Sequence, residues 1–239
     1  MKKHILLPLM LAMIIALSAC EPDELDKPVR VNFEVSLQGS DTPSAHFEFT
    51  RILVAFEEII FHGIRQQGSD VFFSTRPGSS FGIQELTSEN THSRVTYFDI
   101  PQGIYQLMSW ELTLLEIEDD LYDHEWIDVD DFGLIVEGIY TREDGIKLPF
   151  FIGLDPEELL SVKTAPSNSL SLIEDNVYTV DLTINPYLMM AGIPQSYMEQ
   201  AERDEEEGVE YIEISDDENE ELYSMVVFQL ARTIKAFLK

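Results

Sequence analysis

A single cysteine occurs in 239 residues, which excludes an intramolecular disulfide and any metal site built from paired thiolates. Basic side chains are also scarce: 15 Lys and Arg stand against 45 Asp and Glu, giving a formal charge of −30. A chain this negative repels phosphate backbones, so nucleic acid is excluded as a partner. Apolar runs are short, and none reaches the roughly 20 residues that a bilayer-crossing helix needs. His46, His62, His92 and His124 are scattered outside any zinc spacing, and His124-Glu125 lacks the second His of a zincin motif. The chain carries no Gly-x-Ser-x-Gly elbow, Walker loop or dinucleotide fingerprint. What it does have is 44% apolar and 10% aromatic content, the composition of a folded domain that packing alone must stabilise.

The lone cysteine sits at an informative place. Met1-Lys2-Lys3 is a positive start, Ile5 to Leu17 is apolar and uncharged, and Leu17-Ser18-Ala19-Cys20 closes the run. A charged start followed by a short apolar stretch is the pattern of a secretory signal. The closing four residues resemble the lipobox of bacterial lipoproteins. That resemblance implies cleavage before Cys20, a diacylglyceryl thioether on its sulfur and acylation of its new amino group. Residues 1–19 are then a signal peptide, and 20–29 a lipidated Cys with an acidic tether. One acyl chain holds a protein to a membrane marginally and two or more hold it stably, so the implied partner of Cys20 is a membrane. Glu21 stands where inner-membrane lipoproteins commonly carry Asp, which by resemblance directs the chain to the outer membrane. The acids at 21, 23, 24 and 26 resemble a surface-export tag, leaving the cell surface or the periplasmic face as the location.

Beyond the tether, short segments of period-two alternation follow one another. Val31, Phe33, Val35 and Leu37 alternate with polar residues, as in a half-buried strand. His46 to Ile64 changes the parity of its apolar positions near Arg51, which predicts a bulge or two strands. Further strands are expected at Val71–Phe73, Phe81–Leu86, Arg94–Ile100, from Ile104 through Leu114, at Leu134–Tyr140, at Ile146–Leu154, at Ser169–Leu172 and at Val177–Ile184. Met108, Trp110, Leu112 and Leu114 share one face, which makes Trp110 a core residue. Arg142-Glu143-Asp144-Gly145 is a hairpin turn, and Pro149 marks a sheet edge. Ile100-Pro101-Gln102-Gly103-Ile104-Tyr105 resembles the corner of prealbumin-like and immunoglobulin-like β-sandwiches, which implies that the Tyr hydroxyl bonds back to backbone upstream.

Asp155-Pro156-Glu157-Glu158 reads as a helix start, with the helix ending before Pro166. Two proline-led helical pieces follow within Asn185–Ala201. A capping box at Ser215-Asp216-Asp217-Glu218 opens a last helix with Leu222, Val226, Leu230, Ile234 and Phe237 on one face. The expected fold is mainly β: an antiparallel β-sandwich over residues 30–185 with a helical C-terminal appendage over 186–239 packed on it.

For chemistry, the carboxylates Glu116, Glu118, Asp119, Asp120, Asp123, Asp128, Asp130 and Asp131 are a candidate calcium loop, since calcium takes six to eight oxygens. Their spacing is not that of an EF-hand, and a solvated loop is the default for such a run. Trp126, flanked by acids, is a candidate contact for a glycan or protein partner. The function expected is a non-catalytic binding or assembly module at the cell envelope. A fimbrial or adhesin-like subunit and a lipoprotein hydrolase are the alternatives, and no catalytic residue is assigned.

Overall fold

The computed structural model describes residues 24–39, 44–75, 81–117, 132–156, 158–165, 170–206 and 208–239. The signal segment, Cys20 and most of the acidic loop therefore lie outside the described residues. A 3-10 turn at Glu24–Asp26 leads into β1 (Pro28–Leu37), β2 (Phe47–Arg65), β3 (Val71–Ser74), β4 (Ile83–Thr87), β5 (His92–Pro101) and β6 (Gly103–Leu114). Then come β7 (Leu134–Thr141), β8 (Lys147–Leu154), β9 (Leu159–Ala165), β10 (Leu170–Leu172) and β11 (Tyr178–Ile184). The last part holds α1 (Pro186–Met189), α2 (Gln195–Gln200), β12 (Asp204–Glu206), β13 (Val209–Ile214), α3 (Glu220–Thr233) and β14 (Lys235–Leu238).

The strands form one curled, mixed sheet in the order β12-β13-β8-β7-β2-β6-β9-β14-β11-β1-β5, with β3 and β4 added to β2 and β10 to β6. β2 sets the curl. Its first half pairs with β7 and β4, its second half with β6 and β3, and the register slips at Phe49/Arg51 and Phe56/Glu58, and again at Ile64/Arg65 near its end. The parity change near Arg51 is thus a bulge in one bent strand. Each bulge adds twist, and the first two, in the body of the strand, help turn the sheet into a half-barrel around its own apolar face.

Three expectations are corrected. The sheet is not antiparallel throughout: β1 runs parallel to β11, β13 to β8 and β14 to β9. Alternation in a sequence assigns residues to faces but says nothing about the direction of a neighbouring strand. The helix expected after Asp155 is only a turn, closed by Glu158 N–H on the Asp155 carbonyl at 3.1 Å. Leu160, Val162 and Thr164 are buried in alternation as β9 pairs with β6 and β14, so sheet pairing overrides the local helix start. Third, residues 186–239 are not only helical. The expected helices are there, but β13 and β14 return to the sheet and leave Phe237 on a strand, outside α3. Ser215 accepts from Glu218 N–H at 3.0 Å, as in a cap, but Asn219 in a left-handed conformation intervenes before α3 begins.

The main core lies inside the curl. Trp110 is fully buried, with ring centroids 4.8 Å from Phe61, 5.2 Å from Phe33 and 5.5 Å from Phe98, and its indole N–H donates to the Thr164 hydroxyl at 2.9 Å. A smaller cluster on the outer face joins Leu53, Ala55, Ile135 and Phe151 to Ile117 and Phe132. Ile117 N–H bonds the Phe132 carbonyl at 2.9 Å, so the two ends of the acidic loop are pinned together beside the bend in β2. Pro149 precedes the Phe150–Ile152 stretch that β13 pairs with, so it needs no second ladder bond.

One end of the domain, its base, is tied by Arg65. Its buried guanidinium donates to the carbonyls of Leu25 and Ser69, both at 2.7 Å, and pairs with Asp26 at 3.4 Å. Gly68, with φ +85°, passes so close that a Cβ there would lie 2.8 Å from the guanidinium. At the same end the Tyr105 hydroxyl donates to the Pro101 carbonyl at 2.6 Å, the bond that the corner motif implies. Burial pushes the phenol up to about 12, so it remains a donor at any physiological pH.

Truncating Trp110 to Ala removes the ring at the centre of this core. The expected cost is about 3–5 kcal/mol of unfolding free energy in a urea titration. A loss below about 1 kcal/mol would show that the core is organised differently.

Candidate functional site

On the parallel pair β1–β11, Val31, Phe33 and Val35 and their neighbours Val180, Leu182 and Ile184 point into the core with no exposed surface. Period two therefore turns Ser36, Asp181 and Thr183 to the outer face. An outer sheet face normally meets water, yet these three are only 4%, 3% and 7% exposed. They line a hollow of about 310 Å³ bounded by Gln38, His92, Phe237 and Lys239. Register explains the assembly: Ser36 lies opposite Thr183 and His92, and Asp181 opposite Phe237 and Glu34.

The polar groups are unevenly satisfied. The Ser36 and Thr183 hydroxyls bond each other at 3.3 Å. Lys239 Nζ donates to Asp181 Oδ2, from a side chain that is 60% exposed and so free to swing into solvent. Asp181 Oδ1 is buried and has no hydrogen-bond partner among the described residues. Leaving a buried acceptor unpaired costs about 1–3 kcal/mol, so this oxygen is a standing demand for a donor. His92 Nδ1 is bonded to the Thr91 hydroxyl at 2.8 Å and not to Ser36, so the hollow holds no nucleophile–base pair among the described residues. Its equipment is that of a binding pocket: an acceptor carboxylate, two hydroxyls, an amide and an aromatic edge.

Other polar groupings are accounted for by structure. Glu199 accepts from the Tyr140 hydroxyl at 2.7 Å, Glu143 N–H at 3.0 Å and Arg142 Nε at 3.2 Å, which holds its carboxyl down at about 2 and staples α2 to the β7–β8 hairpin. A larger, open hollow of about 460 Å³ lies at the start of α3, between Tyr197, Glu202, Asp217 and Glu221. The Asn219 amide at its wall is fully used, accepting from Glu202 N–H and donating to the carbonyls of Glu202 and Glu213. His46 is engaged by Gln195 and the Thr141 carbonyl, and His62 lies between Glu111 and the Phe72 ring.

Of the residues singled out from sequence, Trp110 is core as expected, and Glu116 is exposed at the start of the acidic loop. Glu118, Asp119, Asp120, Asp123, Asp128, Asp130, Asp131 and Trp126 lie outside the described residues, as does Cys20. Among the described residues, no group of three or more His, Cys, Asp or Glu side chains is placed to hold a metal ion. The sequence reading missed Asp181. In Val180-Asp181-Leu182-Thr183-Ile184 an acid alternating with apolar residues marks a solvent-facing position, and nothing local signals that the far chain end covers it.

Comparison with protein-family models, with curated proteins and with solved structures finds no match to this chain. Its chemistry must therefore be read from its own residues.

Asp155 supplies a pH test of the folded arrangement. Burial first, then a hydrogen bond with the Asp216 carboxyl and the nearby charges of Glu158 and Asp217, push it from 3.8 up to about 6. The folded state then keeps a proton that the unfolded chain has released. The stabilisation is present below about pH 4 and is lost as pH rises through about 6. Urea titrations at pH 5 and pH 7.5 should show this part of the pH dependence in the parent and not in Asp155→Asn. An unchanged pH profile in the variant would contradict the pairing.

Proposed function

We propose that this chain is a lipid-anchored protein of the bacterial outer membrane whose β domain binds a hydroxyl-rich ligand of glycan type in the hollow at Asp181. The observation that carries the ligand reading is the unpartnered Asp181 Oδ1, beside two hydroxyls and the Phe237 ring. A sugar hydroxyl donates to such a carboxylate, exchanges bonds with Ser and Thr hydroxyls, and lays its C–H face on an aromatic side chain. Lys239 holds the carboxylate between binding events and swings aside when a ligand donor arrives.

The anchoring part rests on Leu17-Ser18-Ala19-Cys20 and on the shortness of the tether. The first described turn, Glu24–Asp26, begins four residues after Cys20 and is gripped by Arg65. Among the described residues no helix is long and apolar enough to cross a membrane, which says nothing of strands. Ser36 lies eight residues beyond Pro28 along β1, or about 26 Å from the base at roughly 3.3 Å per residue. The hollow therefore stands well clear of the anchored end.

A hydrolase reading has one observation in its favour: Glu34 lies opposite Asp181 in the β1–β11 register, which puts two acids on one face. Turnover of a bound glycan would distinguish it from simple retention.

The test has two arms. Chain purified from the envelope of an expressing diderm bacterium should carry the mass of a diacylglyceryl thioether and an N-acyl group, and Cys20→Ala should lack both. Thermal melts against a panel of mono- and disaccharides should show a saturable rise for at least one sugar, since a ligand at 100 times its dissociation constant adds about 2.7 kcal/mol. Asp181→Asn should abolish that rise while melting, without ligand, at or above the parent temperature. A panel without any shift, or an Asp181→Asn variant destabilised by more than about 2 kcal/mol, would make Asp181 a structural carboxylate.

A further inference from the structure

The base of the domain is unusually apolar for a chain so acidic. Ile64, Phe72, Ile104, Ile173 and Val177 are between 41% and 69% exposed. Register gathers them at one end. Ile64 precedes Arg65 at the end of β2, and His62, two residues back on the same strand, lies opposite Phe72 on β3. Ile104 is the second residue of β6, its carbonyl accepting from Gln66 N–H at 2.8 Å, and it pairs with Ser171 of β10. Ile173 and Val177 flank the turn that follows β10, whose Glu174 is held by Lys27 Nζ at 2.9 Å and by the Gln102 side chain at 3.2 Å. Lys27 and Gln102 belong to the same tied cluster, since Gln102 N–H bonds the Lys27 carbonyl at 2.8 Å.

This is also the end from which the tether leaves. Arg65 fixes Leu25 and Asp26 against the hairpin between β2 and β3, and Leu25 is only the fifth residue after Cys20. At no more than about 3.6 Å per residue, the chain cannot carry Leu25 farther than roughly 18 Å from the cysteine.

We propose that these five apolar side chains rest in the headgroup layer of the membrane to which Cys20 is anchored, so that the domain sits on the lipid surface by its base and does not swing on a free tether. The inference rests on the anchoring reading, but not on the glycan reading. Apolar side chains on an interfacial surface sink about 5–10 Å into the headgroup and acyl boundary. Each adds burial at about 25 cal/mol per Å² removed from water. Charge decides the kind of lipid. The Lys27–Glu174 and Arg65–Asp26 pairs are each neutral as a unit, whereas Asp70 and Asp175 stand at the same end with no ion-pair partner among the described residues. Anionic headgroups would repel them, so the occupant is a zwitterionic phospholipid surface.

The experiment uses the full, processed chain reconstituted into phosphatidylcholine vesicles. An environment-sensitive thiol probe is placed by Val177→Cys at the base, or by Ile146→Cys at the β7–β8 hairpin. Ile146 is 52% exposed, and its hairpin adjoins the start of β2, at the opposite end of that strand from Arg65. Alkylation of Cys20 leaves the introduced thiol as the reactive one. Flotation with the vesicles reports the anchor, and quenching by brominated acyl chains reports contact with lipid. The expected result is flotation of both variants, with emission at Val177→Cys quenched about twofold or more and emission at Ile146→Cys unchanged. Flotation with equal quenching at the two positions would overturn the base-down arrangement while leaving the anchor intact. Failure to float would remove the anchor, and the inference with it. Replacing phosphatidylcholine by phosphatidylglycerol should weaken the quenching at Val177→Cys, and stronger quenching there would contradict the assignment of lipid class.

Discussion

The architecture depends on the bend in β2. A straight strand of 19 residues would hold one pair of neighbours along its whole length and give a flat sheet with two open faces. Two bulges instead pass the strand from β7 and β4 to β6 and β3, and the side chains on either side of the second bulge remain directed into one core: Ile52, Val54 and Phe56 before it, Ile59 and Phe61 after it. Once the sheet curls, Trp110 and its aromatic neighbours can be enclosed by the sheet with little help from helices. β14 then fits between β9 and β11, and the outer face of β11 acquires the cover that buries Asp181.

The same construction gives the molecule two ends of opposite chemistry. At the base, Arg65 draws together the start of the fold, the β2–β3 hairpin and the β5–β6 corner, and exposed apolar residues surround that tie. Toward the far end of the parallel β1–β11 pair, the outer face is polar and buried, with an acceptor that no group among the described residues satisfies. A buried unpaired oxygen destabilises a domain with no disulfide to compensate for it, and that cost is the ground on which a ligand donor is proposed for this position.

How much of this was legible in the sequence follows from the range of the interactions involved. Alternation placed β1, β5, β6, β7, β8 and β11, the hairpin at Asp144-Gly145 and the core position of Trp110, because a period-two pattern and a turn dipeptide are local facts. The Tyr105 bond was legible through a six-residue motif. β9 was misread as a helix because Asp155-Pro156 is a sound local start, and only pairing with β6 and β14 makes the following residues extended. β13 and β14 were missed because their parallel partners β8 and β9 are distant in sequence, and because Ile234 and Phe237 continue the apolar spacing of α3 and so read as its last turn. Asp181 was invisible as a site for the same reason: its burial comes from Phe237 and Lys239, more than fifty residues away.

The two-ended account is tested most directly by paramagnetic relaxation in the anchored state. The isotopically labelled, lipidated chain would be held in a phosphatidylcholine nanodisc doped with headgroup spin-labelled lipid, and the loss of each amide signal recorded. The account predicts strong broadening at residues 64–72, 104 and 173–177, with signals at 36–38, 92 and 183 retained. Uniform broadening over the domain, or broadening concentrated at the Asp181 hollow, would contradict it.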